Sequence, residues 1–390
     1  MKKLLLVLST KIIKSENGGT EEIEAFLEFL DSHHIDYVFR TRQGTSDPSL
    51  FGFYTRYIDK ILKLREVDSF LEDVQATHEL FVVGPTVYDF IFASNKQAYW
   101  IQSRWGEEID DTKSRYAIKV SNFLNLQEFL EVIQESNVQH YHDVLDDGTE
   151  IYSLLRANTY DVDQTTKNVL GKMQDALKGR NETFTWQIEA FLTAAVFNLK
   201  ALVLSVDYFA FVPSSTVQSN GGFVEILMNR VRFLQGNKVK RQREPIIIRH
   251  ESVPKSHENK VAARNGIVNR LESMHINTAY KGKLKGKHVL LLDDYLTSGD
   301  TIETAKALLK AAGVSRVTVL TLGKFDKRNA GYTEHVFNIV GDPYSTNFQV
   351  TLVKSNQSSE AFRSNRQDSD KILAALSKII QVEENNDADD

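Results

Sequence analysis

The stretch from His288 to Thr301 constrains the fold of this chain more than any other. Four aliphatic residues, Val289 to Leu292, lead into two adjacent acids, Asp293 and Asp294. An unbroken apolar run of that length suits a central parallel strand covered on both faces. Tyr295 and Leu296 follow, then Thr297, Ser298, Gly299, Asp300 and Thr301, and then a helical pattern through Ile302, Ala305, Leu308 and Leu309. The small polar residues therefore form a loop that opens a helix. Backbone N–H groups from Thr297 to Thr301 would point outward at the positive end of the helix dipole, which is an anion site. Gly299 lets the backbone close on such an anion because no side chain intervenes.

Successive strand residues face opposite ways, so one of Asp293 and Asp294 points at a ligand beyond the strand end and the other orients the loop. Carboxylates accept hydrogen bonds from the vicinal hydroxyls of a pentose, whereas a second phosphate beside them would be repelled unless a cation intervened. A ribose 5-phosphate fits both halves of the segment. Four apolar residues, two acids, two further residues and Thr-Ser-Gly-x-Thr resemble the 13-residue PRPP (5-phosphoribosyl 1-diphosphate) motif of type I phosphoribosyltransferases. Asp300 departs from the small residue that many relatives carry; its N–H would still serve the phosphate with the side chain turned away. A nucleotide-binding turn of another doubly wound fold shares the same local pattern.

Two earlier segments stand in the order that the resemblance implies. Tyr208 to Val212 reads as a strand that ends in Pro213, Ser214, Ser215 and Thr216, with Asn220, Gly221 and Gly222 shortly after. In the family, the loop at this place binds pyrophosphate, and small hydroxyl residues let backbone N–H groups approach an anion closely. Ile246 to Arg249 reads as a strand followed by a polar, basic segment containing Lys255, Lys260, Arg264 and Asn265. It resembles the mobile loop region of the family, more narrowly its competence-associated branch, although a run of charge is also what a solvated face looks like. Departure of pyrophosphate requires cations, and Arg249 and Lys255 are the candidates. The resemblance implies displacement at the anomeric carbon of PRPP, or cleavage of a ribonucleotide. Asp293 and Asp294 would hold the ribose hydroxyls, Thr297 to Thr301 the 5-phosphate, and Ser214, Ser215 and Thr216 the pyrophosphate. Mg2+ would be carried mainly by substrate oxygens, with no dedicated protein metal site. Lys324, Phe325, Asp342 and Tyr344, after the last strands, are candidates for reading the acceptor, and homodimers are usual in the family.

A chain of 390 residues has room for two domains of ordinary size. Apolar runs at Leu4 to Leu8, Tyr37 to Arg40, Leu80 to Val83 and Tyr99 to Ile101 alternate with helical patterns such as Glu21 to Ser32 and Phe123 to Ser136. Such alternation predicts an α/β chain of two domains, each a mainly parallel sheet flanked by helices. The polar stretch near His140 to Glu150 serves as the boundary. The expected division is 1–142, a phosphoribosyltransferase domain over 148–350, a C-terminal extension with a helix over 351–382, and an acidic tail over 383–390 that is disordered. Arg363 and Arg366 lie in a polar strip before that helix.

The first domain resembles haloacid dehalogenase-like (HAD) phosphatases in order of elements, without their catalytic residues. Ser9, Thr10 and Lys11 stand where that family places Asp-x-Asp, and Pro85 replaces an acid in the metal-binding region, which retains only Asp89. Thr41 and Lys60 match its phosphate-contacting positions. The domain is therefore expected to be a catalytically dead relative of these phosphatases or another doubly wound module, with packing and partner recognition as its role. A net charge of -5 leaves no electrostatic footprint for nucleic acid, and with no cysteine there is neither a disulfide nor a thiolate metal site. Leu4 to Leu8 is too short for a signal peptide or a membrane span, so a cytoplasmic protein is expected. Two other functions share these features: a regulatory protein that senses PRPP or a nucleotide without turnover, and an antiviral effector similar to the phosphoribosyltransferase-type toxins paired with bacterial antiphage retrons.

Overall fold

Short aliphatic runs separated by amphipathic stretches become alternating strands and helices in the computed structural model. It describes residues 3–13, 20–41, 51–74, 76–105, 109–135, 141–160, 162–177, 196, 199–217, 222–235, 244–253, 263–325, 332–357 and 373. The chain divides into two compact units, one of Met1–Glu131 with Arg232–Val239, the other of Val132–Val231 with Lys240–Asp390.

The chain first forms β1 (Lys3–Ser9), α1 (Glu21–Ser32), β2 (Asp36–Thr41), α2 (Phe51–Arg56), β3 (Ile61–Lys63), α3 (Leu64–Val74), β4 (His78–Val83), α4 (Val87–Asn95), β5 (Tyr99–Ser103), β6 (Ile118–Val120) and α5 (Phe123–Glu135). The six strands are parallel, in the order β3-β2-β1-β4-β5-β6. Alternation along each strand sorts side chains between two helical layers. Leu5, Val7, Leu80, Val82 and Trp100 pack with Val67 and Leu71 of α3 and Phe92 of α4. On the other face Phe81 meets Phe129 of α5, and Phe26 of α1 meets Phe123 at 5.3 Å. Phe233, from the later segment of this unit, lies 5.0 Å from Phe90.

The second unit contains β7 (Tyr141–Val144), β8 (Glu150–Arg156), α6 (Gln164–Leu177), α7 (Lys200–Ser205), β9 (Tyr208–Phe211), α8 (Gly222–Phe233), β10 (Ile247–Arg249), α9 (Ala263–Glu272), β11 (Met274–Ile276), β12 (His288–Leu296), α10 (Asp300–Ala311), β13 (Arg316–Lys324), β14 (Thr333–Val340) and β15 (Gln349–Gln357), with the end of α8 returning to the first unit. Its sheet runs β7-β8-β13-β12-β9, parallel except for β7. Val289, Leu291, Val317 and Val319 bury one face against Ile302, Ala305, Leu308 and Leu309 of α10, and Ile247, Met274 and Ile276 join that core.

Two expectations change, and the strand at Arg249 takes a place that the sequence reading did not assign. The polar stretch between His140 and Glu150 is the β7–β8 hairpin of the second sheet, with Tyr141 opposite Ser153 and Gly148 turning the chain at φ +75°. Its turn residues carry the same polar signature as a linker. The strand ending at Arg249 lies outside the main sheet, in an antiparallel pair with β11. Residues 351–357, assigned to the extension, continue β15. The expected helix beyond them and the acidic tail lie outside the described residues, as do Arg363 and Arg366. Among the described residues no helix is long and apolar enough to cross a membrane.

Candidate functional site

The strand does not stop at the acids. β12 stays paired with β13 as far as Leu296 and Lys324, whereas its pairing with β9 ends at Leu292 and Phe211. Tyr295 sustains the longer side because Gly323 leaves room for its ring, a Cβ at Gly323 coming within 2.8 Å of Tyr295. On the β9 side the ladder opens beside Asp293 and Asp294. Val212 donates its N–H to the Leu292 carbonyl at 2.9 Å, so the turn through Pro213 to Thr216 leaves the sheet at the same edge as the acids.

Asp293 is 8 % exposed and shares the face of Val289 and Leu291, while Asp294 is half-buried. The Asp294 amide donates to Asp293 Oδ1 at 2.9 Å, and the Tyr295 amide to Asp294 Oδ1 at 2.6 Å. Burial and the neighbouring Asp294 carboxylate push the Asp293 carboxyl well above the usual carboxylate range, against the opposing charge of Arg270.

The loop after β12 is held from behind by β14. Gly299 has φ +92°, a left-handed conformation that favours glycine, and a Cβ there would come within 2.4 Å of the Tyr332 ring. Thr333 N–H donates to the Ser298 carbonyl at 2.8 Å. The Tyr332 hydroxyl donates to Glu303 Oε1 at 2.6 Å, and Lys306 pairs with the same oxygen at 2.7 Å. The Asp300 side chain turns toward His335, with Oδ1 and Nε2 3.0 Å apart. Burial alone would raise the Asp300 carboxyl, but hydrogen bonds from His335 and Ser298 and the charges of His335 and Arg270 bring it below its ordinary value.

Residues 247–352 match the family model of the phosphoribosyl transferase domain. The match spans β10 to the first four residues of β15, so it contains the acids, the loop and α10, and excludes the 213–216 turn and the six-stranded sheet. No curated protein matches the chain.

Within the matched segment the expected cation Arg249 makes no approach to open solvent. It is 6 % exposed; its Nε donates to the Ser214 carbonyl, Nη1 to Ser273 Oγ, and Nη2 to the Pro213 carbonyl at 3.4 Å. Burial first, and the charge of Arg270 second, lower its pKa to about 10. Arg249 therefore shapes the turn by holding its carbonyls. Within that turn Ser214 Oγ donates to the Thr216 carbonyl at 3.0 Å, and Val253 N–H donates to the Ser215 carbonyl at 2.9 Å. Lys255 and Lys260 lie outside the described residues, as does the side chain of Arg264. Lys324 is buried over the Tyr141 ring, and Phe325 lies 5.2 Å from Tyr295. Asp342 and Tyr344 sit at the opposite end of the sheet: Asp342 pairs with Lys281 at 2.8 Å, and the Tyr344 hydroxyl reaches the carbonyl of Tyr280, which packs on Tyr208 at the start of β9. They do not join the site. Arg270 of α9 does, with Nη1 donating to Thr301 Oγ1 at 3.0 Å. No local pattern marks Arg270, because the residue it meets is 31 positions away.

In the first unit strand order reverses between β1 and β4, where open sheets of this kind bind ligands at their carboxyl ends. Asp89 is committed there. It forms a buried ion pair with Arg40, accepts from Thr86 Oγ1 at 2.7 Å and from Thr86 N–H at 3.0 Å, and fills the space against Gly84. Thr41 is buried at the end of β2. Lys60 is directed elsewhere, over the Tyr37 ring at 4.8 Å near the start of β2.

Proposed function

We propose that the second unit transfers a 5-phosphoribosyl group from PRPP to an acceptor, with pyrophosphate leaving the anomeric carbon. The observation that carries this reading is the shared edge: a turn of small hydroxyl residues, two adjacent acids and a glycine loop opening a helix follow one another across β9 and β12. The match to the phosphoribosyl transferase model supports it. The amides of Thr297 to Thr301 seat the 5-phosphate, the 214–216 turn receives the pyrophosphate, and Asp294, the more exposed acid, takes the ribose hydroxyls. Asp293 accepts from the Asp294 amide and so fixes the second acid at the strand end.

Mg2+ fits this donor set. Burial first, and the neighbouring Asp294 carboxylate second, push the Asp293 carboxyl up, and a cation beside the two acids would relieve the second of these. In this reading pyrophosphate and ribose oxygens would supply most of its ligands. When bound, the ion shields the charge of the departing pyrophosphate. The test is PRPP consumption with Mg2+ across a panel of nitrogen bases, by wild type and by the double variant Asp293→Asn, Asp294→Asn. The variant should fold and lose turnover. Unchanged consumption by the variant would reject the role of the acids, and no consumption by the wild type with any base would reject the transfer.

The first unit fits a HAD-like, non-catalytic module in this reading. The pairing of Asp89 with Arg40 supports this, because the acid left in the metal-binding region is already neutralised.

A further inference from the structure

A phosphate dianion on the 297–301 loop would enter beside three acids, Asp293, Asp294 and Asp300, and charges of one sign at such range repel strongly away from bulk water. Positive charge has to come from side chains, because helix-end amides supply only partial charge. Among the described residues, the Arg249 guanidinium donates to the carbonyls of Pro213 and Ser214 and to Ser273. Arg270 is placed otherwise. It stands in the last turn of α9, is half-buried, and donates from Nη1 to Thr301 Oγ1 at 3.0 Å. The same charge acts on Asp293, on Asp300 and on Arg249.

We propose that Arg270 is a positioning residue for the phosphate of a phosphorylated ribose: it orients the Thr301 hydroxyl and balances the charge of the acids around the loop. The inference rests on the phosphoribosyl reading of the site. A hydroxyl that accepts from a guanidinium directs its own hydrogen to another acceptor, so the bond from Arg270 turns Thr301 into a donor toward the loop. A planar guanidinium holds its donors in a fixed fork, which an ammonium lacks. The backbone beside Arg270 links the two anion turns: Ser273 Oγ donates to the Arg270 carbonyl at 2.7 Å and accepts from Arg249, which holds the 213–214 carbonyls. One short segment thereby sets the spacing between the phosphate loop and the pyrophosphate turn.

The experiment is calorimetric titration of the full chain with ribose 5-phosphate, with ribose and with pyrophosphate, for wild type, Arg270→Gln, Arg270→Lys and Thr301→Val. Wild type should bind ribose 5-phosphate and not ribose. Arg270→Gln should weaken ribose 5-phosphate binding about ten- to a hundredfold, the effect of one or two charge-assisted hydrogen bonds, and leave pyrophosphate binding within about threefold. Arg270→Lys should recover part of the loss, because charge returns without the fork. The losses of Arg270→Gln and Thr301→Val should combine less than additively. Equal ribose 5-phosphate affinity in wild type and Arg270→Gln would overturn the inference and leave the site reading intact. An equal loss for ribose 5-phosphate and pyrophosphate would also overturn it, by showing a general structural role. Should Arg270→Gln fail to fold, Arg270→Lys and Thr301→Val decide the question by the same comparison. Absence of ribose 5-phosphate binding by the wild type would instead overturn the phosphoribosyl reading itself.

Discussion

Gly299→Ala separates two costs that the loop imposes. The first is conformational: at φ +92° an L-residue is held in the left-handed region, at about 1–2 kcal/mol. The second is steric, since the new methyl would come within 2.4 Å of Tyr332 Cε2 and 2.7 Å of Cζ. Tyr332 is fully buried and its hydroxyl is bonded to the buried Glu303, so the ring has little freedom to retreat. Overpacking of that kind adds about 1–3 kcal/mol. Gly282 serves as the control, because its φ is +75° and a Cβ there meets nothing within 4 Å. Native-state hydrogen exchange at the amides of Val289 to Leu292 reports the stability of the second sheet. Gly282→Ala should speed that exchange about 5- to 30-fold, and Gly299→Ala about 30- to several-thousandfold, taking tenfold per 1.4 kcal/mol. Equal acceleration in the two variants would refute the claim that Tyr332 supports the loop by direct contact.

Asp293→Asn should stabilise the ligand-free protein at neutral pH. The folded carboxyl titrates well above the unfolded one, which releases its proton near about 3.9, so the wild type loses stability as pH rises between the two, and an amide does not. The advantage of the variant should shrink as pH falls from 8 toward 5; thermal midpoints with the same gap at both ends would argue against burial as the cause. In the first unit, Arg40→Met leaves the Asp89 carboxylate buried without its cation, which costs about 3–5 kcal/mol. Adding Asp89→Asn should restore part of that loss, read as slower exchange in β1 and β4, and identical exchange in single and double variants would show the pair to be unimportant.

The fold was legible where the pattern had length. Glu21 to Ser32 reads as a helix from its spacing and is one over those residues, and the apolar runs at Leu4, Tyr37, Leu80 and Tyr99 each fall in a strand. Ile61–Lys63 and Ile118–Val120 escape such reading because three residues show no period; pairing with β2 and β5 makes them strands. The β7–β8 hairpin was hidden for a different reason. Asp146, Asp147 and Gly148 form a turn whose residue types equally suit a linker, and the decision comes from β13, which pairs with β8 in parallel.

The site divides along the same line. A strand, two acids and a glycine loop lie within thirteen consecutive residues, so sequence conveys their geometry. Their electrostatics come from farther away. Arg270 reaches Thr301 across 31 positions, Tyr332 reaches Glu303 across 29, and His335 reaches Asp300 across 35. Arg249 shows the limit from the other side: a basic residue at the end of a strand is visible in sequence, but the destination of its donors is not. Its hydrogen bonds go to carbonyls of the 213–216 turn, which makes it a brace for that turn. Charge at the 297–301 loop consequently depends on α9, an element outside the motif, and under the proposed phosphoribosyl reading changes at Arg270 should tune phosphate recognition while the backbone of the loop stays as it is.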